Sequence, residues 1–144
     1  MISFDTNLLI YAHREKAPEH KNAKQAIQDA VDSNKGCGIT LPSVSEFWSI
    51  VTNPKLGDRP STPKEAKDFI FALCEDGNIQ IWEPHGDFST RFIQLASDLK
   101  IAGPRIFDLQ IALIAFENGA TELWTNDKAF IQMPGLRIKI PLMG

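Results

Sequence analysis

Short apolar runs alternate along this chain with longer stretches in which apolar residues recur every three or four positions. "ISF" is a β-type run, and Asp5-Thr6-Asn7 behind it offers N-cap chemistry for a helix through "LLIYAHRE". In "PEHKNAKQAIQDAVDSN", Ala23, Ala26, Ile27, Ala30 and Val31 fall at helical spacing, with Pro18 near the start. "KGCGITLP" reads as a glycine-flanked strand that stops at Pro42. "SVSEFWSIVTNP" follows as a helix capped by Ser43, with Glu46 in capping-box position. Thr62, Pro63 and Glu65 open the next helix, "TPKEAKDFIFALCEDG", which Gly77 terminates. Beyond it lie a strand "IQIW", an amphipathic helix "DFSTRFIQLASDLKI", a loop "AGPRI" and a helix "FDLQIALIAFENG". A strand "ELWT", a turn "NDKAF" and a last strand "LRIKI" complete the pattern.

Strands that alternate with helices in this way predict an α/β fold: a five-stranded, mainly parallel sheet flanked by helices on both faces. No repeat, low-complexity tract or linker interrupts the pattern. The 144 residues, 43% of them hydrophobic, suit a single domain over 1–144. No stretch approaches the roughly 20 apolar residues of a membrane span. The first residues lack the features of a signal peptide, so the expectation is a cytoplasmic protein without membrane contact. Cys37 and Cys74 are read most simply as reduced thiols, with a disulfide between them left open. The formal charge of −3, from 15 Lys plus Arg against 18 Asp plus Glu, argues against a large basic surface for nucleic acid. It leaves room for an enzyme that meets nucleic acid through metal ions.

Asp5 changes this picture. It stands among Ile2, Phe4, Leu8, Leu9 and Ile10, where a carboxylate without a partner costs several kcal/mol or more. In open parallel sheets, ligands collect at the carboxyl ends of the strands. Asp5 falls there, as do Glu46 after the second strand and Asp127 after "ELW". Asp108, at the amino end of its helix, is hemmed in by Ile106, Phe107, Leu109 and Ile111. Each acid alone has a plain structural reading as a cap or turn residue, and their joint placement is what points to chemistry. Four ionised carboxylates within about 4–5 Å of each other would repel by roughly 20 kcal/mol at an effective dielectric near 20. Protons or divalent cations relieve such repulsion, and an all-oxygen donor set suits Mg²⁺ or Mn²⁺ rather than zinc.

The stretches "FDTNLLIYA", "SVSEFWSIVTNP" and "FDLQIALIAFENGATELWTNDKAF" resemble the PIN-domain proteins, specifically the VapC-type toxin ribonucleases of toxin–antitoxin pairs. The resemblance runs from end to end. It implies a PIN fold and a Mg²⁺- or Mn²⁺-dependent endoribonuclease with one or two ions. It implies a catalytic quartet of Asp5, Glu46, Asp108 and Asp127, with Asp5, Asp108 and Asp127 as metal ligands and Glu46 placing the water. Thr125 and Asn126 match a segment lining the same site, and Thr6 and Asn7 are expected to orient Asp5. The implied partners are an RNA substrate, a second copy in a homodimer, and a small antitoxin whose tail docks between helices. Candidate walls for that tail are "SVSEFWSIV" and "TPKEAKDFIFALC". One departure concerns the fourth acid: many relatives carry a further acid close after it, where this chain has Lys128 and Ala129.

Arg105, in "GPRIFD", is expected at the mouth of the site as a phosphate contact. Lys55 and Arg59 lie in a loop, "KLGDRPS", read as solvated rather than as an RNA-contacting lip. His13, His20 and His85 lack zinc spacing and are read as surface residues. Trp48, Trp82 and Trp124 are read as core or interface aromatics. The competing classes are a PIN-type binding or scaffold module without catalysis and a phosphorylatable receiver-like domain. A receiver would need a phospho-acceptor aspartate after the third strand and a lysine after the last, where this chain offers only Glu83 and no lysine. A haloacid-dehalogenase phosphatase would want an acid where Asn7 stands.

Overall fold

The computed structural model describes residues 1–56 and 59–143. Its elements run β1 (Ile2–Phe4), α1 (Thr6–His13), α2 (His20–Asp32), β2 (Cys37–Thr40), α3 (Leu41–Val51), α4 (Pro63–Gly77), β3 (Ile79–Trp82), α5 (Phe88–Asp98), α6 (Arg105–Glu117), β4 (Glu122–Trp124) and β5 (Arg137–Lys139). All five strands join one sheet in the order β3-β2-β1-β4-β5, and every pairing is parallel. The α/β expectation, with five strands and covering helices, is met.

Alternation along the strands sorts the core into two layers. Ile2, Phe4, Cys37, Ile39, Ile79 and Trp124 belong to one apolar cluster with side chains of α1, α2, α3 and α4. Leu123 and Trp82 belong to the other, with α5 and α6. Gly38, between Cys37 and Ile39, faces the second layer, where the Trp82 indole covers it. A Cβ at Gly38 would stand 2.3 Å from that ring, so only glycine fits.

Two helices begin earlier than the sequence pattern suggests, both because of a proline. α3 starts at Leu41 rather than after Ser43: Pro42 sits in its first turn, and Thr40 is the N-cap, accepting from the Ser43 amide at 3.4 Å. A first-turn N–H has no helical partner, so proline costs nothing there. Ser43 is buried inside the helix, and Glu46 is not the second half of a capping box. α6 likewise starts at Arg105, directly after Pro104, so Arg105 and Ile106 are helical rather than loop. The capping box of Thr62 and Glu65 on α4 forms as expected, but Asn78, in the left-handed region at φ 50°, terminates that helix, and Gly77 is its last residue.

The chain visits β1, β2 and β3 in order toward one edge, then crosses back to lay β4 on the other side of β1. The strand order therefore reverses between β1 and β4. A crevice opens beyond the carboxyl ends of strands at such a reversal. Asp5 immediately follows β1, and Thr125, Asn126 and Asp127 immediately follow β4.

Candidate functional site

Asp5 is buried at 7% exposure and caps α1, its Oδ1 accepting the Thr6 amide at 2.8 Å. Its Oδ2 accepts the Thr125 hydroxyl at 2.7 Å and Asn7 Nδ2 at 3.4 Å. Thr125 is fully buried, and its single oxygen is saturated. It donates to Asp5 and accepts from Asn7 Nδ2 at 3.1 Å and from the Asp127 amide at 3.0 Å. Asn7 also joins the two strand ends, its Oδ1 accepting the Asn126 amide at 3.0 Å. Asn126 and Thr6 thus serve through their backbones. Among the described residues, the buried Thr6 hydroxyl has no hydrogen-bond partner.

Asp127 is exposed and braces its own turn, Oδ1 accepting the Ala129 amide at 2.9 Å. Arg105 approaches the same turn from α6: its Nη2 donates to the Ala129 carbonyl at 2.9 Å. The arginine expected at a phosphate therefore has at least one arm on the loop that carries Asp127. Asp108 is half-buried in the first turn of α6, which follows a loop rather than a strand. Glu46 is exposed on α3 and lines a cleft of about 500 Å³ between α3 and α6.

Electrostatics tie three helices and a loop together. Burial pushes the Asp5 carboxyl up to about 6; hydrogen bonds from Thr125 and Thr6 oppose this, and the charges of Asp108 and Glu46 add to it. Asp108 is raised too, first by burial and then by Asp127. The Ile131 backbone opposes that rise, Glu46 adds to it and Arg105 opposes it. Among the described residues the salt bridges lie elsewhere, such as Lys35–Glu122 and Arg91–Glu117, and none neutralises these acids.

The acids share a field without forming a closed cage. Among the described residues, no three His, Cys, Asp or Glu side chains stand in metal-holding geometry. The tight four-acid cluster expected from the sequence is not met by these side-chain positions. Glu46 and Asp127 are exposed, and the Asp127 carboxylate is turned onto the Ala129 amide. The donor set still fits a hard divalent cation: every candidate ligand is a carboxylate oxygen, and Asp5 and Asp108 are held at raised pKa by burial and by neighbouring acids.

Other expectations resolve plainly. His13 is not a free surface residue: it is half-buried, edge-on to Phe47 and Phe69, with Nε2 2.7 Å from the Ser61 hydroxyl. His20 Nδ1 lies 2.9 Å from the Tyr11 carbonyl oxygen, and exposed His85 pairs with Asn118. Trp82 and Trp124 are buried, while Trp48 is exposed at 36%. Lys55 and Arg59 are exposed, Arg59 lying 4.0 Å from Glu65, and Gly57 and Asp58 of that loop lie outside the described residues. Both cysteines are free thiols. Among the described residues, no helix is long and apolar enough to cross a membrane. A separate groove of about 270 Å³ runs between α2 and α4, floored by Ala12, Ile27, Val31, Phe69, Leu73 and Ile79. Its walls are α2 and α4.

Comparison with known proteins agrees with this fold. Residues 2–136 match the PIN domain. The chain is 31% identical over 144 residues to Ribonuclease VapC43 of Mycobacterium tuberculosis, covering 100% of this chain and 97% of that protein. The chain belongs to the PIN-domain family, in its VapC branch. Two solved structures share the fold. Mycobacterium tuberculosis VapC20, a sarcin-ricin loop cleaving toxin, has a TM-score of 0.67 at 11% identity, covering 90% of this chain and 92% of its own. VapBC2 from Rickettsia felis, bound to a DNA fragment from its promoter, has a TM-score of 0.67 at 20% identity, covering 96% and 98%.

Proposed function

We propose that this chain, acting as a single domain, is a Mg²⁺- or Mn²⁺-dependent endoribonuclease toxin restrained by a cognate antitoxin. The observation that carries the reading is Asp5: a buried carboxylate raised to about 6, unpaired with any cation among the described residues and coupled to Asp108 and Glu46. A fold retains so costly a group where it serves chemistry. The relatives' name, Ribonuclease VapC, supports the reaction class.

Asp5, Asp108 and Asp127 would hold the ion or ions, and Glu46 would complete the catalytic quartet. When bound, the ion supplies positive charge to the scissile phosphate and lowers the pKa of water. Thr125 and Asn7 fix the direction of Asp5, with Thr6 and Asn126 contributing backbone amides. Asp5 is left ionised at neutral pH, and Glu46, exposed on the cleft wall, would orient water or accept its proton. Arg105 steadies the Asp127 turn and lends charge near Asp108, with any remaining fork available to a phosphate.

The test is incubation of the purified protein with structured RNA, with and without Mn²⁺, beside Asp5→Asn. Metal-dependent cleavage lost in the variant is expected; equal RNA decay in both would leave a binding or scaffold module as the better reading. The groove between α2 and α4 is the natural seat for an antitoxin tail, and the acids would accept an arginine from it, whose planar fork meets two carboxylates. Co-expression with a small neighbouring protein should relieve toxicity and co-purify with the chain, and sedimentation should show the homodimer that the family resemblance implies.

A further inference from the structure

The cleft that Glu46 lines does not include the other three acids among its walls, which are mostly apolar. α3 contributes Leu41, Pro42 and Ser45 beside Glu46, α6 contributes Phe107, Gln110 and Ile111, and Pro84 closes the end. Phe107 is 60% exposed and Leu41 42% exposed. Phe107 directly precedes Asp108 on α6, so the aromatic ring and the acid come from consecutive residues.

We propose that this cleft is a nucleobase pocket, which takes one unstacked base of single-stranded RNA beside the scissile phosphate. The inference rests on the ribonuclease reading and adds what that reading lacks, a means of choosing where to cut. Sequence-specific recognition of RNA usually splays a base onto an aromatic face and hydrogen-bonds its edge. Phe107 offers the face, and donors and acceptors come from the Gln110 amide on the same helix and the Ser45 hydroxyl on the opposite wall. Phe107 and Gln110, three apart on one helix, project from the same side. A pocket of about 500 Å³ has room for a base and its sugar. Continuity with the acids argues for this occupant: Glu46 belongs to both, so a base seated here carries its own phosphate toward Asp108. Phe107 is the stacking residue, and Gln110 is the residue that sets which base is preferred.

The experiment uses a short single-stranded RNA with a randomised stretch, cleaved in Mn²⁺ and read by sequencing the new ends. Wild type should favour one base at a fixed distance from the cut. Phe107→Ala should cleave about tenfold more slowly or worse, the scale of one lost base stack, and lose that preference. Phe107→Trp should keep both, and Gln110→Ala should change the favoured base with a smaller loss of rate. Ile93→Ala, an exposed residue on α5 outside the cleft, should match wild type. An unchanged preference in Phe107→Ala and Gln110→Ala overturns the pocket. So does a sedimentation shift from dimer to monomer with an unchanged preference, which would make the cleft a contact with a second copy. If wild type shows no metal-dependent cleavage, the ribonuclease reading fails, and anisotropy with the same RNA decides the pocket. Tenfold weaker binding by Phe107→Ala upholds it, and equal binding overturns it.

Discussion

Thr125 illustrates how much a single side chain can organise. Its hydroxyl proton points at Asp5, and its lone pairs take Asn7 and the Asp127 amide. Thr125→Val keeps the shape and deletes all three bonds, so urea unfolding should show a loss of about 1–3 kcal/mol. Metal-dependent cleavage should fall by about 10- to 100-fold with it, as when an orienting partner of a ligand is removed. Asp5 itself makes stability depend on pH. Its folded pKa of about 6 lies above the ordinary 3.8, so between those values the native chain holds more protons than the unfolded one. Stability therefore falls as pH rises from about 4 to about 6 and then levels, by about 3 kcal/mol for this group. Asp5→Asn removes that slope. In EDTA its stability relative to wild type should grow across the same interval, with Asp108, raised in the same direction, keeping part of the decline. A constant difference between variant and wild type from pH 4 to 7 would show that burial does not penalise the Asp5 charge. The acid was legible in sequence because its neighbours are so apolar. The placement of the exposed acids was not, since it depends on side-chain rotamers, such as the one that turns Asp127 onto the Ala129 amide, that spacing does not encode.

The strands and most helices could be read from apolar periodicity, and the larger departures fall at helix starts. Pro42 and Pro104 look like stops when each is met after a strand or a loop. In the structure both are starts, because a helix's first amides have no partner to lose. The error mattered: extending α6 back to Arg105 places that side chain against the Ala129 carbonyl. Arg105→Ala should speed hydrogen exchange at Ala129 and Phe130 while leaving β4 and β5 protected. Unchanged exchange there would free the arginine for a role with phosphate alone. Gly38 marks another limit of pattern reading, since nothing nearby in sequence announces that Trp82 will lie across it. Gly38→Ala should destabilise by about 1–3 kcal/mol through displacement of the indole, visible as a lower melting temperature and altered Trp fluorescence.

At the scale of the molecule, the sheet order was not read from the sequence; only its parallel character was. Placing β4 beside β1 brings the two polar segments together, and the proposed metal ligands Asp5 and Asp127 with them. Mg²⁺ should raise the melting temperature of wild type more than that of Asp5→Asn or Asp108→Asn, because a ligand stabilises the state that binds it. Equal shifts in all three would put the ion elsewhere. The Asp5–Thr125 bond spans 120 positions. During synthesis, then, Asp5 is made long before the Thr125 hydroxyl that orients it, and Glu46 and Asp108 also precede that segment. The groove floored by Ala12, Ile27, Phe69 and Ile79 is complete in sequence well before Thr125 is added. A partner that recognises that groove can meet the growing chain on the ribosome, before there is an assembled acid site for it to restrain.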